Sequence, residues 1–145
     1  MGTLQISTNK DRLDIGLVHR FLSNEACWSR GIPREVVERA IDGSLCFGGY
    51  LDRRLVAFAR VVTDGATFGY LADVFVVPEH RGQGHARTLM AAVMAHPELQ
   101  GLRRFCLATR DAHGLYAGFG FTAQARPRTW MEKFDPDIYA TAAAP

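Results

Sequence analysis

An apolar run from Leu71 to Val77 is stopped by Pro78 and followed by Arg81-Gly82-Gln83-Gly84-His85-Ala86, after which apolar residues recur at helical spacing from Arg87 to Ala95. A buried strand that passes through two glycines straight into a helix commits the chain to a sheet layered with helices. The junction also predicts an anion site. Glycine lets the backbone approach an anion with no Cβ in the way, and a first helical turn points unpaired N–H groups outward. The helix dipole adds roughly half a positive charge. Arg81, His85 and Arg87 supply side-chain donors. A tight turn alone is the competing reading of Gly82 and Gly84. The nucleotide fingerprints do not fit, since no Gly-Lys-Ser/Thr follows and Arg87 stands where a dinucleotide fold needs its third glycine.

Val76, Pro78, Arg81, Gly82, Gly84 and Ala86 together resemble the acyl-CoA signature of the GNAT N-acetyltransferase superfamily, (Arg/Gln)-x-x-Gly-x-(Gly/Ala) with a preceding valine and proline. A second stretch, Ala112-His113-Gly114-Leu115-Tyr116-Ala117-Gly118-Phe119-Gly120-Phe121, is similar to the late segment of the same family, Ala-x-x-Leu-Tyr-x-x-x-Gly-Phe. The resemblance spans about residues 3 to 134. It implies an α/β (α+β) fold, a GNAT-type mixed and mostly antiparallel sheet flanked by helices. One domain over 1–140 would be followed by a frayed tail at 141–145.

The resemblance also implies acetyl-CoA as co-substrate. Main-chain groups of Val74, Phe75 and Val76 would meet pantetheine, and Arg81, Gly82, Gln83, Gly84, His85, Ala86 and Arg87 would hold the pyrophosphate. Tyr116 matches the family's general acid. Thr109 stands where an asparagine is frequent, seven residues before that tyrosine, so this contact with the CoA arm departs from the pattern. Trp28 and Arg30, between the first two helices, and Tyr70, Trp130 and Glu132 are candidates for acceptor recognition, each with packing as its competing role. Homodimers built on the last strand are common among such folds.

Direct attack of an amine on a thioester releases a thiolate that needs a proton. A phenol of reference pKa about 10 carries one at neutral pH. The amine must lose one. A lysine-like amine lies about 3.4 units above pH 7, so presenting it neutral costs roughly 4.6 kcal/mol. Asp73 is the candidate base or ammonium anchor, because it interrupts an apolar strand and lies two residues from Phe75, on the same face. A carboxylate there must be hydrogen-bonded, paired or functional, and a structural role is the alternative. His113 is a weaker candidate. An acyl-cysteine route through Cys106 has no sequence cue to a paired base, and an aliphatic strand favours a buried thiol. An acyl-CoA-binding sensor without turnover is the competing function, against which Tyr116 argues.

Composition narrows the setting. At 145 residues one domain can bury about two thirds of its unfolded surface. Arginines are scattered, with no basic run interleaved with aromatics, so no nucleic-acid partner is expected. Cys27, Cys46 and Cys106 form neither a Cys-x-x-Cys pair nor an even set, which predicts no metal and a reducing cytoplasm. No membrane association is expected, since the start of the chain has no apolar signal segment. The acceptor is expected to be a small-molecule or peptide amine.

Along the chain, Leu4 and Ile6 read as a first strand and Leu13, Leu17, Phe21 and Leu22 as a helix. Pro33 opens a second helix that ends at Gly43. Leu45–Leu51 and Leu55–Thr63 flank the hairpin signal Asp52-Arg53-Arg54, and Thr67–Val77 follows as a strand. After the helix from Arg87, a strand at Phe105–Thr109, a short helix over Ala112–Gly118 and a last strand at Thr129–Phe134 complete the order β-α-α-β-β-β-α-β-α-β. The unit from 71 to 109 should pair its strands in parallel through a right-handed crossover.

Overall fold

The structure, a computed structural model, describes residues 2–142. The tail expected at 141–145 lies, from 143 on, outside the described residues. Strand β1 (Gln5–Ser7) leads to helix α1 (Ile15–Arg20), whose start is capped by Asp14, its Oδ1 accepting the Leu17 N–H at 3.1 Å. The helix then widens into a π turn at Phe21–Glu25, where the Ala26 N–H donates to the Phe21 carbonyl at 3.0 Å. That widening releases the Leu22 carbonyl, which accepts from Ser29 Oγ at 2.7 Å and ties down the loop carrying Trp28. Helix α2 (Arg34–Asp42) begins directly after Pro33, whose fixed φ suits an entry, and closes on Gly43.

Strands β2 (Leu45–Leu51), β3 (Arg54–Thr63) and β4 (Phe68–Val76) form an antiparallel meander. The β2–β3 turn places Asp52 and Arg53 at φ 48° and 69°, the two left-handed residues of a type I′ hairpin, which matches strand twist. Helix α3 (His85–Ala95) crosses over to β5 (Arg104–Leu107), which pairs parallel to β4. The sheet order is β1-β2-β3-β4-β5. Helices α4 (His113–Ala117) and α5 (Ile138–Ala142) follow. The expected single layered fold, with a mixed and mostly antiparallel sheet, is the one observed.

Each face of the sheet buries its own cluster. On one side Val18, Phe21, Leu22, Val37 and Ile41 of the α1–α2 layer pack on Cys46, Phe58 and Phe75. On the other, Leu89, Met90 and Val93 of α3 and Tyr116 of α4 pack on Phe47, Ala57, Ala59, Val61 and Leu71. Leu71 and Phe75 therefore face opposite sides although they are four residues apart. A β-bulge explains the change of phase. Phe58 pairs with Phe75 and Arg60 with Ala72, so Ala59 alone stands opposite both Asp73 and Val74.

The expected strand at Thr129–Phe134 is absent. Pro127–Thr129 forms a 3₁₀ turn, and no strand follows β5 among the described residues. The alternation in this stretch imitates a strand, but no ladder takes it up. Trp130, Met131 and Phe134 stand exposed instead of resting on a sheet face. β5 is also shorter than expected, ending at Leu107, which opens the sheet at the site described next.

Candidate active site

The β4–β5 ladder runs only from Phe68↔Arg104 to Leu71↔Leu107. Beyond Leu71, β4 continues to Val76 with no neighbour on that side, so the two strands part. The Val77 N–H donates to the Val56 carbonyl at 2.8 Å. Because main-chain groups alternate along a strand, Phe75 also turns its amide to β3, while Val74 and Val76 turn theirs into the gap. Of the three expected pantetheine contacts, the structure thus aims two main chains at the opening. The Val76 carbonyl already accepts from Arg81 Nε at 2.9 Å. The Phe75 ring lies flat on Phe21, 4.0 Å between centroids, and anchors the strand beside the gap.

The gap leads to the start of α3. Gly82 and Gly84 have φ of 75° and 81°, a region costly for residues with a Cβ, and a Cβ built on either meets nothing within 4 Å. Both positions face open space. Gly84 is the N-cap and has no side chain to offer the helix. Among the described residues the amides from Gly82 to Arg87 find no acceptor, the next bond being Thr88 N–H to the Gly84 carbonyl at 3.2 Å. A cleft of about 190 Å³ lies over them, lined by Val76, His80, Arg81, Gly82, Gly84 and Leu115 with the first residues of α3. His85 Nε2 and Gln83 Oε1 are 3.2 Å apart at its rim. Unpaired amides at a helix start with arginines alongside make a seat for a di-anion. His80, between Pro78 and Arg81, and Leu115, from the second motif, complete the lining of this cleft.

Tyr116 projects from α4 into the cluster beneath α3, edge-on to Phe121 with 6.2 Å between centroids. Burial, and after it the neighbouring Asp111, pushes its pKa above the ordinary tyrosine value, so the phenol keeps its proton at neutral pH. Its hydroxyl has no hydrogen-bond partner among the described residues, yet it is not sealed from solvent. Among the described residues only Tyr50 Oη is both buried and unpartnered. Thr109 turns inward on its own chain, where its Oγ1 accepts the Ala112 N–H at 3.0 Å and sets the turn into α4. His113 is exposed at the first turn of α4. The deeply buried Cys46 thiol has its pKa pushed up to about 11 by burial, which makes it inert.

Asp73 occupies the bulge in a left-handed conformation, φ 56°. That geometry in a non-glycine residue costs of order 1–3 kcal/mol. Both of its carboxylate oxygens are engaged. Oδ2 accepts from Arg60 Nε at 2.9 Å and Oδ1 from Trp28 Nε1 at 2.9 Å. Hydrogen bonds to a charged group contribute about 1.5–3 kcal/mol each, enough to offset the strain. Arg60 is held in turn by Ser44 Oγ at 3.1 Å, which donates to the Ala40 carbonyl at 2.6 Å. The ion pair borders a cavity of about 70 Å³ between the α1–α2 layer and the sheet.

The structure therefore joins Trp28 to Asp73, but not the other recognition candidates. Arg30 folds back on its loop toward the Asn24 carbonyl at 3.4 Å. Tyr70 pairs with Cys106 on the far side of the bulge from the phosphate loop, and Trp130 lies 4.8 Å beneath the Arg104 guanidinium at the start of β5. Glu132 is exposed in the segment that forms no strand. Sequence reasoning missed Arg60. Its signal was available, as an arginine inside the apolar run Leu55–Val62 needs a buried counter-ion as much as Asp73 does.

The profile described as the acetyltransferase (GNAT) family matches residues 18–121, from α1 through Tyr116 to Phe121. A GNAT-family protein from Xanthomonas campestris pv. campestris, solved by crystallography, is 59% identical, with 97% of this chain and 99% of that chain covered at a TM-score of 0.94. A "Putative acetyltransferase" of Gibberella zeae is 32% identical, over 79% of this chain and 76% of that protein. The fold alone is shared with a predicted acetyltransferase with acetyl-CoA from Clostridium acetobutylicum, 18% identical with a TM-score of 0.64 over 92% of this chain and 96% of that one. A parted sheet leading to an uncapped helix start, and likeness along nearly the whole length, have one explanation: the chain belongs to the GNAT family of acetyltransferases.

Proposed function

We propose that the protein transfers an acetyl group from acetyl-CoA to the primary amine of a small-molecule or peptide acceptor, by direct attack and without a covalent enzyme intermediate. The observation that carries this reading is the continuity of the β4–β5 gap with the unpaired amides from Gly82 to Arg87. A thioester supplies an activated acyl carbon and a good leaving group when bound there. Gly82, Gly84 and the α3 amides hold the pyrophosphate with Arg81 and Arg87. Val74 and Val76 present main-chain groups to the pantetheine amides. An N–H facing the gap stabilises the oxyanion, an effect worth about 3 kcal/mol in comparable sites.

Tyr116 gives its proton to the departing thiolate. Its raised pKa suits a group that must arrive protonated. The proton of the attacking ammonium leaves to water, because the Asp73 carboxylate is already committed to Arg60 and Trp28. No metal takes part in this scheme.

A thermal-shift and CoA-release screen over aminoglycosides, polyamines, amino acids and peptide amines tests the reading. CoA should raise the melting temperature and compete with acetyl-CoA, while free acetate should do neither. Absence of any CoA effect at millimolar concentration would overturn the cofactor assignment. Binding without amine-dependent release would point to a sensor.

A further inference from the structure

We propose that Arg60 is a positioning residue for acetyl transfer: acting through the Asp73 carboxylate, its guanidinium fixes the left-handed bulge that turns the Val74 and Val76 main chains into the β4–β5 gap. This rests on the acetyl-CoA reading given above. Two separate parts of the fold converge on one carboxylate, and a third supports them. Arg60 reaches it from β3 and Trp28 from the α1–α2 loop, while Ser44, at the end of α2, accepts a hydrogen bond from Arg60. The carboxylate belongs to the residue with φ 56° that, with Val74, stands opposite Ala59 alone.

The bulge sets the phase of everything after it. Because one extra residue is inserted, Phe75 rather than Val74 faces the α1–α2 layer, and Val76 rather than Phe75 faces away from β3. If residue 73 relaxed to an extended conformation, that alternation would slip by one. The amides now aimed at the gap would turn to β3. A positive φ is uncommon for a residue with a Cβ inside a strand, and aspartate is among those that tolerate it; the ion pair holds it there. Arg60 and Asp73 are both largely enclosed, at 19% and 11% side-chain exposure, so the lock is only partly screened by solvent.

Glycine at position 73 adopts a positive φ freely, which separates a backbone role from a carboxylate role. Arg60→Met, Arg60→Lys, Asp73→Ala and Asp73→Gly are compared by steady-state kinetics, with CoA affinity measured by calorimetry on each. Arg60→Met should lower kcat at least tenfold and also weaken CoA binding several-fold, since the Val74 and Val76 contacts with pantetheine are lost while the phosphate loop, outside the network, is kept; Arg60→Lys should recover part of both losses. Asp73→Gly should exceed Asp73→Ala in kcat by at least tenfold. Equal losses in the two Asp73 variants, or a kcat within twofold of the parent in Arg60→Met, would overturn the proposal.

An NMR measurement decides the same question without turnover. The nuclear Overhauser contacts between Phe75 and Phe21 should persist in Asp73→Gly and weaken in Arg60→Met. Their persistence in Arg60→Met would overturn the lock. A parent that releases no CoA with any amine would instead overturn the acetyl-transfer reading, and the NMR comparison would still settle the bulge.

Discussion

Two side-chain changes examine the proposed chemistry directly. Tyr116→Phe removes one hydroxyl and almost no volume, so fold and CoA affinity should survive. kcat should fall about a hundredfold, the lower end for general acid catalysis, because water substitutes in part. A kcat within twofold of the parent, with chemistry rate-limiting, would make Tyr116 a packing residue. Since burial raises its pKa, the protonated form persists further into the alkaline range than for an ordinary tyrosine, and any alkaline loss of kcat from this group should be absent in Tyr116→Phe. Gly84→Val puts a branched Cβ into the space over the α3 amides at a positive φ. Acetyl-CoA affinity should drop tenfold or more by calorimetry, and unchanged affinity in a folded variant would remove the phosphate-loop assignment. The positions of these residues were legible in the sequence because a glycine's conformational freedom and a motif spacing need no tertiary partner, and the roles proposed for them are what these variants test. The Asp73 network was half legible. Burial of a carboxylate follows from its apolar neighbours, but its cation is thirteen residues away across a ladder.

At the scale of elements, the β2–β3 hairpin offers a test of local strain. Arg53 is exposed at φ 69° in a type I′ turn whose second central position favours glycine. Arg53→Gly should stabilise the protein by about 0.5–1 kcal/mol, seen as a higher denaturation midpoint at unchanged slope. A lower midpoint would mean that the arginine side chain outweighs the turn geometry. Strands β1 to β4, both early helices and α3 were readable because each carries its own period and its own stop, Pro33, Gly43, Pro78 and His96-Pro97 among them. The Thr129–Phe134 strand failed for a complementary reason. Alternation describes one strand, whereas a strand exists only if a neighbour's main chain accepts it, and Met131 at 95% exposure has no sheet beneath it. The bulge and the gap belong to the same class, being properties of pairing between segments.

For the molecule as a whole, ligand binding and stability are linked. CoA at about a hundred times its dissociation constant should add about 2.7 kcal/mol. For a domain near 150 residues that is a rise of roughly 5–10 °C in Tm by differential scanning fluorimetry. At the same CoA concentration Gly84→Val should remove about half of that rise or more while keeping its own transition cooperative, and a full rise in that variant would place CoA elsewhere. No helix among the described residues is long and apolar enough to cross a membrane. The sheet has a further property. Its spatial order repeats the order of the chain, β1-β2-β3-β4-β5. During synthesis each new strand meets a partner that has already emerged, and the β2–β3 and β3–β4 pairs need only short closures. By the time the ribosome delivers Arg81, four strands have neighbours to lie against. The anion seat is thus the late arrival on a platform assembled without it, so changes in the glycine loop should alter what the enzyme holds far more than whether the nascent chain folds.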